Sequence, residues 1–147
     1  MLAKIKQLKE FINSNNIITF LSGAGLSTAA GLPDFRSDKE GFWEKNKPVK
    51  FSEFLKNEDS QNKSWNNNIA IINSIKRKKR TKMHDFIDKF LIKSKKNTHI
   101  TQNIDGFHYT KHLSSQIFEL HGSVRSAHCL NCKTCLLYTS DAADDDH

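Results

Sequence analysis

The sequence predicts an α/β fold: a Rossmann-like open parallel sheet, incomplete in this chain, with a helical insertion and the start of a zinc-ribbon module. Three observations carry that expectation. Three short apolar runs each end in a polar or glycine-rich cluster, an amphipathic helical stripe precedes the second run, and two closely spaced cysteines follow the third. In an open parallel sheet, ligands bind where the carboxyl ends of the strands meet their loops. At 147 residues the chain is long enough for one domain with its own core.

Leu2, Ile5, Leu8, Phe11 and Ile12 recur at helical spacing, and the turn-forming residues 13–16 end the pattern. This lysine-rich segment also suits a mitochondrial presequence, but Glu10 and the lack of arginine weigh against one. Residues 17–21 are apolar without alternation, the pattern of a strand buried on both faces. Residues 38–68 turn polar and irregular, with Phe42, Trp43 and the 51–55 segment as apolar anchors. They read as short helices and loops of an insertion spanning about 38–80, with residues 66–68 as low-complexity surface. Met83, Phe86, Ile87, Phe90 and Leu91 form a stripe that core packing explains fully. Residues 98–101 and 116–120 are the second and third strands, running into Gln102 to Gly106 and into His121-Gly122.

There are 23 Lys and Arg against 16 Asp and Glu, a formal charge of +7 that would suit an anionic partner. Much of it lies in residues 76–80 and 93–96, which read as solvated helix faces. The first of these runs also fits a nuclear import signal. No stretch approaches the roughly 18 apolar residues of a membrane span, so no membrane partner is expected. An odd number of cysteines, all within 129–135 and with no secretory segment before them, argues against a disulfide scaffold and favours a reducing compartment, the nucleus or cytoplasm.

The strand followed by Gly23-Ala24-Gly25 is the first half of a dinucleotide fingerprint, in which missing Cβ atoms let a pyrophosphate approach the backbone and a helix start offers N–H donors. Thr28 stands where the third glycine belongs, and a tight structural turn accounts for the tripeptide equally well. Beyond it Asp34, Phe35 and Arg36 join a hydrogen-bonding group, a ring and a cation behind Pro33. At the end of the second strand, Asn103 and Asp105 offer an amide and a carboxylate for hydrogen bonding; an Asx turn is the plainer reading. His121 ends a strand beside Gly122, and an imidazole with an ordinary pKa of about 6.5 suits it as a general base. His108 and His112 are the next candidates. Cys129 and Cys132 can place two thiolates on one zinc ion, but the second pair that a ribbon needs does not follow, and Cys135 and His128 would reach the ion only under strain.

Four blocks together are more specific. GAGLSTAAGLPDFRS at 23–37, TQNIDGFH at 101–108, ELHGS at 119–123 and CLNC at 129–132 resemble the sirtuins, the silent information regulator family, in the same order. The resemblance implies that Gly23, Ala24 and Gly25 line the phosphates of NAD and that Asp34, Phe35 and Arg36 sit on a cofactor loop, with Phe35 shielding the reacting centre. It places Gln102, Asn103 and Asp105 at the ribose and nicotinamide end and makes His121 the base. The implied reaction passes the acyl group of an acyl-lysine protein or peptide to ADP-ribose, releasing nicotinamide and consuming NAD, with a structural zinc held in part by Cys129 and Cys132. Acidic acyl groups are disfavoured, because no Tyr-x-x-Arg occurs.

Protein mono-ADP-ribosyl transfer would use the same cofactor residues. A zinc-dependent nucleic-acid module would leave the first two blocks unexplained, so direct nucleic-acid binding is not expected. A dehydrogenase is disfavoured because Asp105 lies far beyond the roughly 20-residue offset of that fingerprint. Residues 1–135 are thus expected to be the N-terminal portion of a sirtuin catalytic domain, with the zinc module starting at about 124–135. The tail, 136–147, resembles nothing in the family and is expected to be foreign to it. A chain of this extent is expected to fold marginally and to have little activity.

Overall fold

A computed structural model describes residues 2–32 and 47–137. Its centre is a three-stranded parallel sheet of β1 (Thr19–Ser22), β2 (Thr98–Thr101) and β3 (Ile117–Glu119), in that order. Thr19 pairs with Thr98 and Ser22 with Thr101, while Thr101 in turn pairs with Glu119. The three strands therefore end level, which puts the loops after them side by side. The open parallel sheet expected from the sequence is present.

Helix α1 (Leu2–Ser14) leads into β1, and after the glycine turn come α2 (Phe51–Phe54), α3 (Glu58–Ile75) and α4 (Lys82–Lys93). α4 covers one face of the sheet. Its Ile87 and Leu91 are buried with Leu113, and Phe20, Leu26 and Ile117 pack around them. Phe20 meets the edges of Phe86 and Phe90 at centroid distances of 6.4 and 5.5 Å, a geometry that aromatic quadrupoles favour. Two buried amides fasten α4 to the strands. Asn97 accepts from Ile18 N at 2.8 Å and donates to Phe90 O at 2.7 Å, and Gln116 Nε2 donates to the carbonyls of Leu91, Ser94 and Asn97 at 2.8–3.0 Å.

β1 departs from expectation. Phe20 turns toward α4, but Leu21 is 69% exposed and Phe118 across the sheet is 51% exposed. The strand is covered on one face among the described residues, not on both. An apolar run without alternation shows that both faces are apolar, and it does not supply the layer that would bury the second.

The insertion also differs. In place of short helices and loops, residues 58–75 form one 18-residue helix, α3, with residues 66–68 inside it and Asn66 exposed. The Asn57 side chain caps that helix by accepting from Ser60 N at 2.7 Å, with Glu58 and Asp59 in the first turn favoured by the helix dipole. These start signals outweigh the poor helix propensity of three asparagines. The basic run at 76–80 is the connection from α3 to α4 and forms no helix face: Lys76 caps α3, Lys78 Nζ donates to Gly31 O, and Arg80 pairs with Asp85 at 3.0 Å and Asp88 at 2.7 Å. After β3, β4 (Ser126–His128) and β5 (Cys135–Leu137) form an antiparallel pair, so the change of composition after Cys135 falls inside a strand.

Beneath the strand ends lie three buried histidines, His84, His99 and His108. The Ser22 hydroxyl donates to Thr101 Oγ1 at 2.8 Å, so His99 Nε2–H, 2.8 Å from Ser22 Oγ, donates to it. Burial, reinforced by the neighbouring His108, pushes the His99 pKa down to about 4, and burial also lowers that of His84. The fold therefore holds both rings neutral, while in the unfolded chain they take up protons near pH 6.5. Stability from these groups is fully present above about pH 6.5 and is lost as the pH falls from there toward 4, by on the order of a few kcal/mol. Urea denaturation at a series of pH values should show the midpoint dropping across that window, and His99→Gln, which keeps an N–H donor for Ser22, should flatten the drop.

Candidate active site

The ends of β1, β2 and β3 open onto a cleft of about 900 Å³, within the range of small-molecule sites. Gly23, Ala24 and Gly25 form one wall, Gln102, Asn103 and His121 another, and Leu26, Met83 and Ile87 contribute apolar surface. Loops separated by almost 100 residues in sequence thus face one space. Asp34, Phe35 and Arg36 lie outside the described residues.

The glycine segment is a tight turn, with Leu26 N donating to Gly23 O and Ser27 N to Ala24 O, both at 2.9 Å. Gly23 has φ −135°, and neither Gly23 nor Gly25 has a positive φ, so the backbone does not require glycine at either position. A Cβ built on either one meets nothing within 4 Å. What the missing side chains leave is open space beside the cleft. The chain then continues in two 3₁₀ turns, Ala24–Leu26 and Thr28–Ala30, closed by Gly31 at φ 78°, and not in the regular helix expected. Two single turns sum few peptide dipoles, so the backbone N–H groups, more than a macrodipole, are what this loop offers an anion.

Ser27 anchors the turn from behind. It is 1% exposed, its hydroxyl donates to Asp105 Oδ2 at 2.7 Å, and Asn103 Nδ2 reaches its oxygen at 3.3 Å. The other Asp105 oxygen accepts from Phe107 N at 2.9 Å, an Asx turn. Asp105 thus binds the β1 loop to the β2 loop and does not line the cleft, whereas Gln102 and Asn103 do. No local pattern in the sequence marks this role of Ser27, because its partner lies 78 residues away.

His121 is exposed in the cleft, and its Nδ1 lies 3.1 Å from Gln102 O. A carbonyl only accepts, so Nδ1 carries the proton and Nε2 keeps a lone pair. This is the tautomer a base needs. The same ring borders a second groove of about 170 Å³, whose wall includes Trp65 and Asn68 of α3 together with Ile104 and Val124. Of the other candidates, His108 is buried against Glu119 and His112 is exposed on the 3₁₀ helix Lys111–Gln116; neither lines the cleft.

Cys129 and Cys132 are exposed at the turn between β4 and β5. Hydrogen bonds from Thr134, 3.1 Å away at its Oγ1, and then from Cys129 bring the Cys132 pKa down to about 7, toward the thiolate that a metal takes. Among the described residues no three His, Cys, Asp or Glu side chains gather around a point. Cys129 and Cys132 share that turn, and the described residues add no third ligand to the pair expected from the sequence to bind zinc.

Residues 23–146 match the sequence model of the Sir2 family. The chain belongs to the Sir2 family. It is 37% identical over 131 residues to an NAD-dependent protein deacetylase of Staphylococcus epidermidis, covering 87% of this chain and 53% of that protein. With an NAD-dependent protein deacetylase of Rhodopseudomonas palustris the identity is 32% over 129 residues, covering 87% and 51%. A solved Sir2–p53 peptide–NAD+ structure superposes with a TM-score of 0.68 at 26% identity, covering 90% of this chain and 52% of that one. The chain spans about half the length of the curated relatives it matches. No helix among the described residues is long and apolar enough to cross a membrane.

Within this Sir2-family chain, Ser27→Ala should expose the bridging role. Removing the hydroxyl leaves the Asp105 carboxylate short of a buried donor and should cost about 1–3 kcal/mol. Chemical denaturation checks the loss, and amide exchange should quicken in both the 23–31 and 102–107 loops.

Proposed function

We propose that the chain carries the NAD site and the base of a protein lysine deacylase, removing acetyl or another neutral acyl group and transferring it to ADP-ribose. The observation that carries this reading is one cleft bordered by His121 and by two glycines whose Cβ directions are open and whose φ values do not demand glycine. Gly23, Ala24 and Gly25 would hold the NAD phosphates, with Gln102 and Asn103 at the ribose and nicotinamide end. NAD supplies an anomeric carbon that a weak nucleophile such as an amide oxygen can attack as nicotinamide leaves.

The remaining chemistry falls to the protein. His121 accepts a proton at Nε2, and the Gln102 carbonyl stabilises the resulting imidazolium through Nδ1–H. The groove beside His121 would receive the acyl-lysine, its apolar Trp65, Ile104 and Val124 matching an aliphatic stem. No Lys or Arg lines it among the described residues, which suits a neutral acyl group over an acidic one. The role of Phe35 as a shield, with Asp34 and Arg36 beside it, belongs to the same proposal and rests on the sequence alone. A reducing compartment, the nucleus or cytoplasm, belongs to the same proposal and rests on the odd cysteine count of the sequence.

Two substitutions separate binding from chemistry. Gly25→Val fills open space, so thermal stability should stay close to that of the parent while stabilisation by added NAD disappears. His121→Gln should retain NAD stabilisation and lower NAD-dependent deacetylation of an acetyl-lysine peptide by roughly 100-fold or more. Unchanged NAD binding in Gly25→Val, or unchanged turnover in His121→Gln, would remove the basis of the proposal.

A further inference from the structure

His108 is wholly buried and takes no part in the chemistry assigned to His121. Its Nε2–H donates to Glu119 Oε1 at 2.7 Å, while its Nδ1 lies 3.8 Å from Asp105 Oδ1 with no hydrogen-bond partner. A ring out of water with one nitrogen unpaired is a cost that an apolar side chain of similar size would avoid. What the imidazole gains in return is its hold on Glu119.

Glu119 is the last residue of β3 and stands two residues before His121. The His108 bond is the main cause that keeps its pKa below the usual carboxylate value, with the Ser123 hydroxyl, two residues after His121, the smallest of the causes. The turn between them passes through Gly122 at φ 71°. Its backbone is fixed at both ends to β2 and its loop, by Leu120 N to Thr101 O at 2.9 Å and Val124 N to Ile104 O at 2.8 Å. Only the middle of the turn, which carries His121, is left to be set.

We propose that His108 is a positioning residue for the base: by holding Glu119 it fixes the 119–123 turn so that His121 keeps its Nδ1–H on the Gln102 carbonyl. The link runs from the buried ring to the carboxylate and from the carboxylate to the turn, without direct contact between the two histidines. The inference rests on the reading of His121 as the base, but its test does not depend on turnover.

Long-range proton–nitrogen NMR spectra of the imidazoles, recorded above the histidine titration range, report the His121 tautomer. The parent chain should show Nδ1–H. His108→Leu and Glu119→Ala should each move His121 toward the Nε2–H form that free histidine prefers, while His108→Gln, whose amide can still donate to Glu119, should retain Nδ1–H. Glu119 has a 28% exposed side chain, so Glu119→Ala decides the matter should the leucine variant fail to fold. A parent chain with His121 in the Nε2–H form would overturn the inference, as would a folded Glu119→Ala that keeps Nδ1–H. Loss of the tautomer on substitution in a chain with no NAD-dependent turnover would uphold positioning and count against the deacylase reading alone.

Discussion

The structure depends on the parallel register of three strands. β2 pairs with β1 and β3 so that Ser22, Thr101 and Glu119 stand in one row. Slipping a strand by one residue would turn every side chain to the opposite sheet face. It would expose Phe20 and Ile117 and draw the three loops out of line. The burial of Ile87, Leu91 and Leu113 against one face of the sheet is therefore what brings a glycine turn and a histidine from distant parts of the chain to the same cleft.

Behind that cleft the packing is polar, an uncommon arrangement at the centre of a small fold. Ser27, Asn103, Asp105, His108 and Glu119 join the three loops through hydrogen bonds. In a water-poor surround such bonds strengthen when complete and penalise any member left unpaired. This favours one loop arrangement over its neighbours. The unpaired His84 Nε2 and His108 Nδ1 show that satisfaction is not total.

The sequence made the sheet legible because its strands are short, apolar and punctuated by glycine or asparagine, and it made α4 legible through an unambiguous stripe. α3 was hidden, since a run of asparagines masks helical periodicity while its cap, Asn57, is a single residue. The cover of β1 on one face could not be read from a run that is apolar on both. At the site, Gln102, Asn103 and His121 were visible as polar ends of strands. The function of Ser27 and the clasp between His108 and Glu119 were not, because long-range pairing leaves no local pattern. That neither glycine of the tripeptide has a positive φ, and that both face open space, could not be read from the sequence.

The convergence of these loops on a dinucleotide can be observed residue by residue through the backbone amide resonances during titration with NAD. The resonances of residues 23–25, 102–103 and 121 should move together along a single binding curve, with those of β4 and β5 unaffected. Movement confined to one of the three loops, or none at concentrations well above those typical of NAD-binding proteins, would mean that the cleft is not a single site.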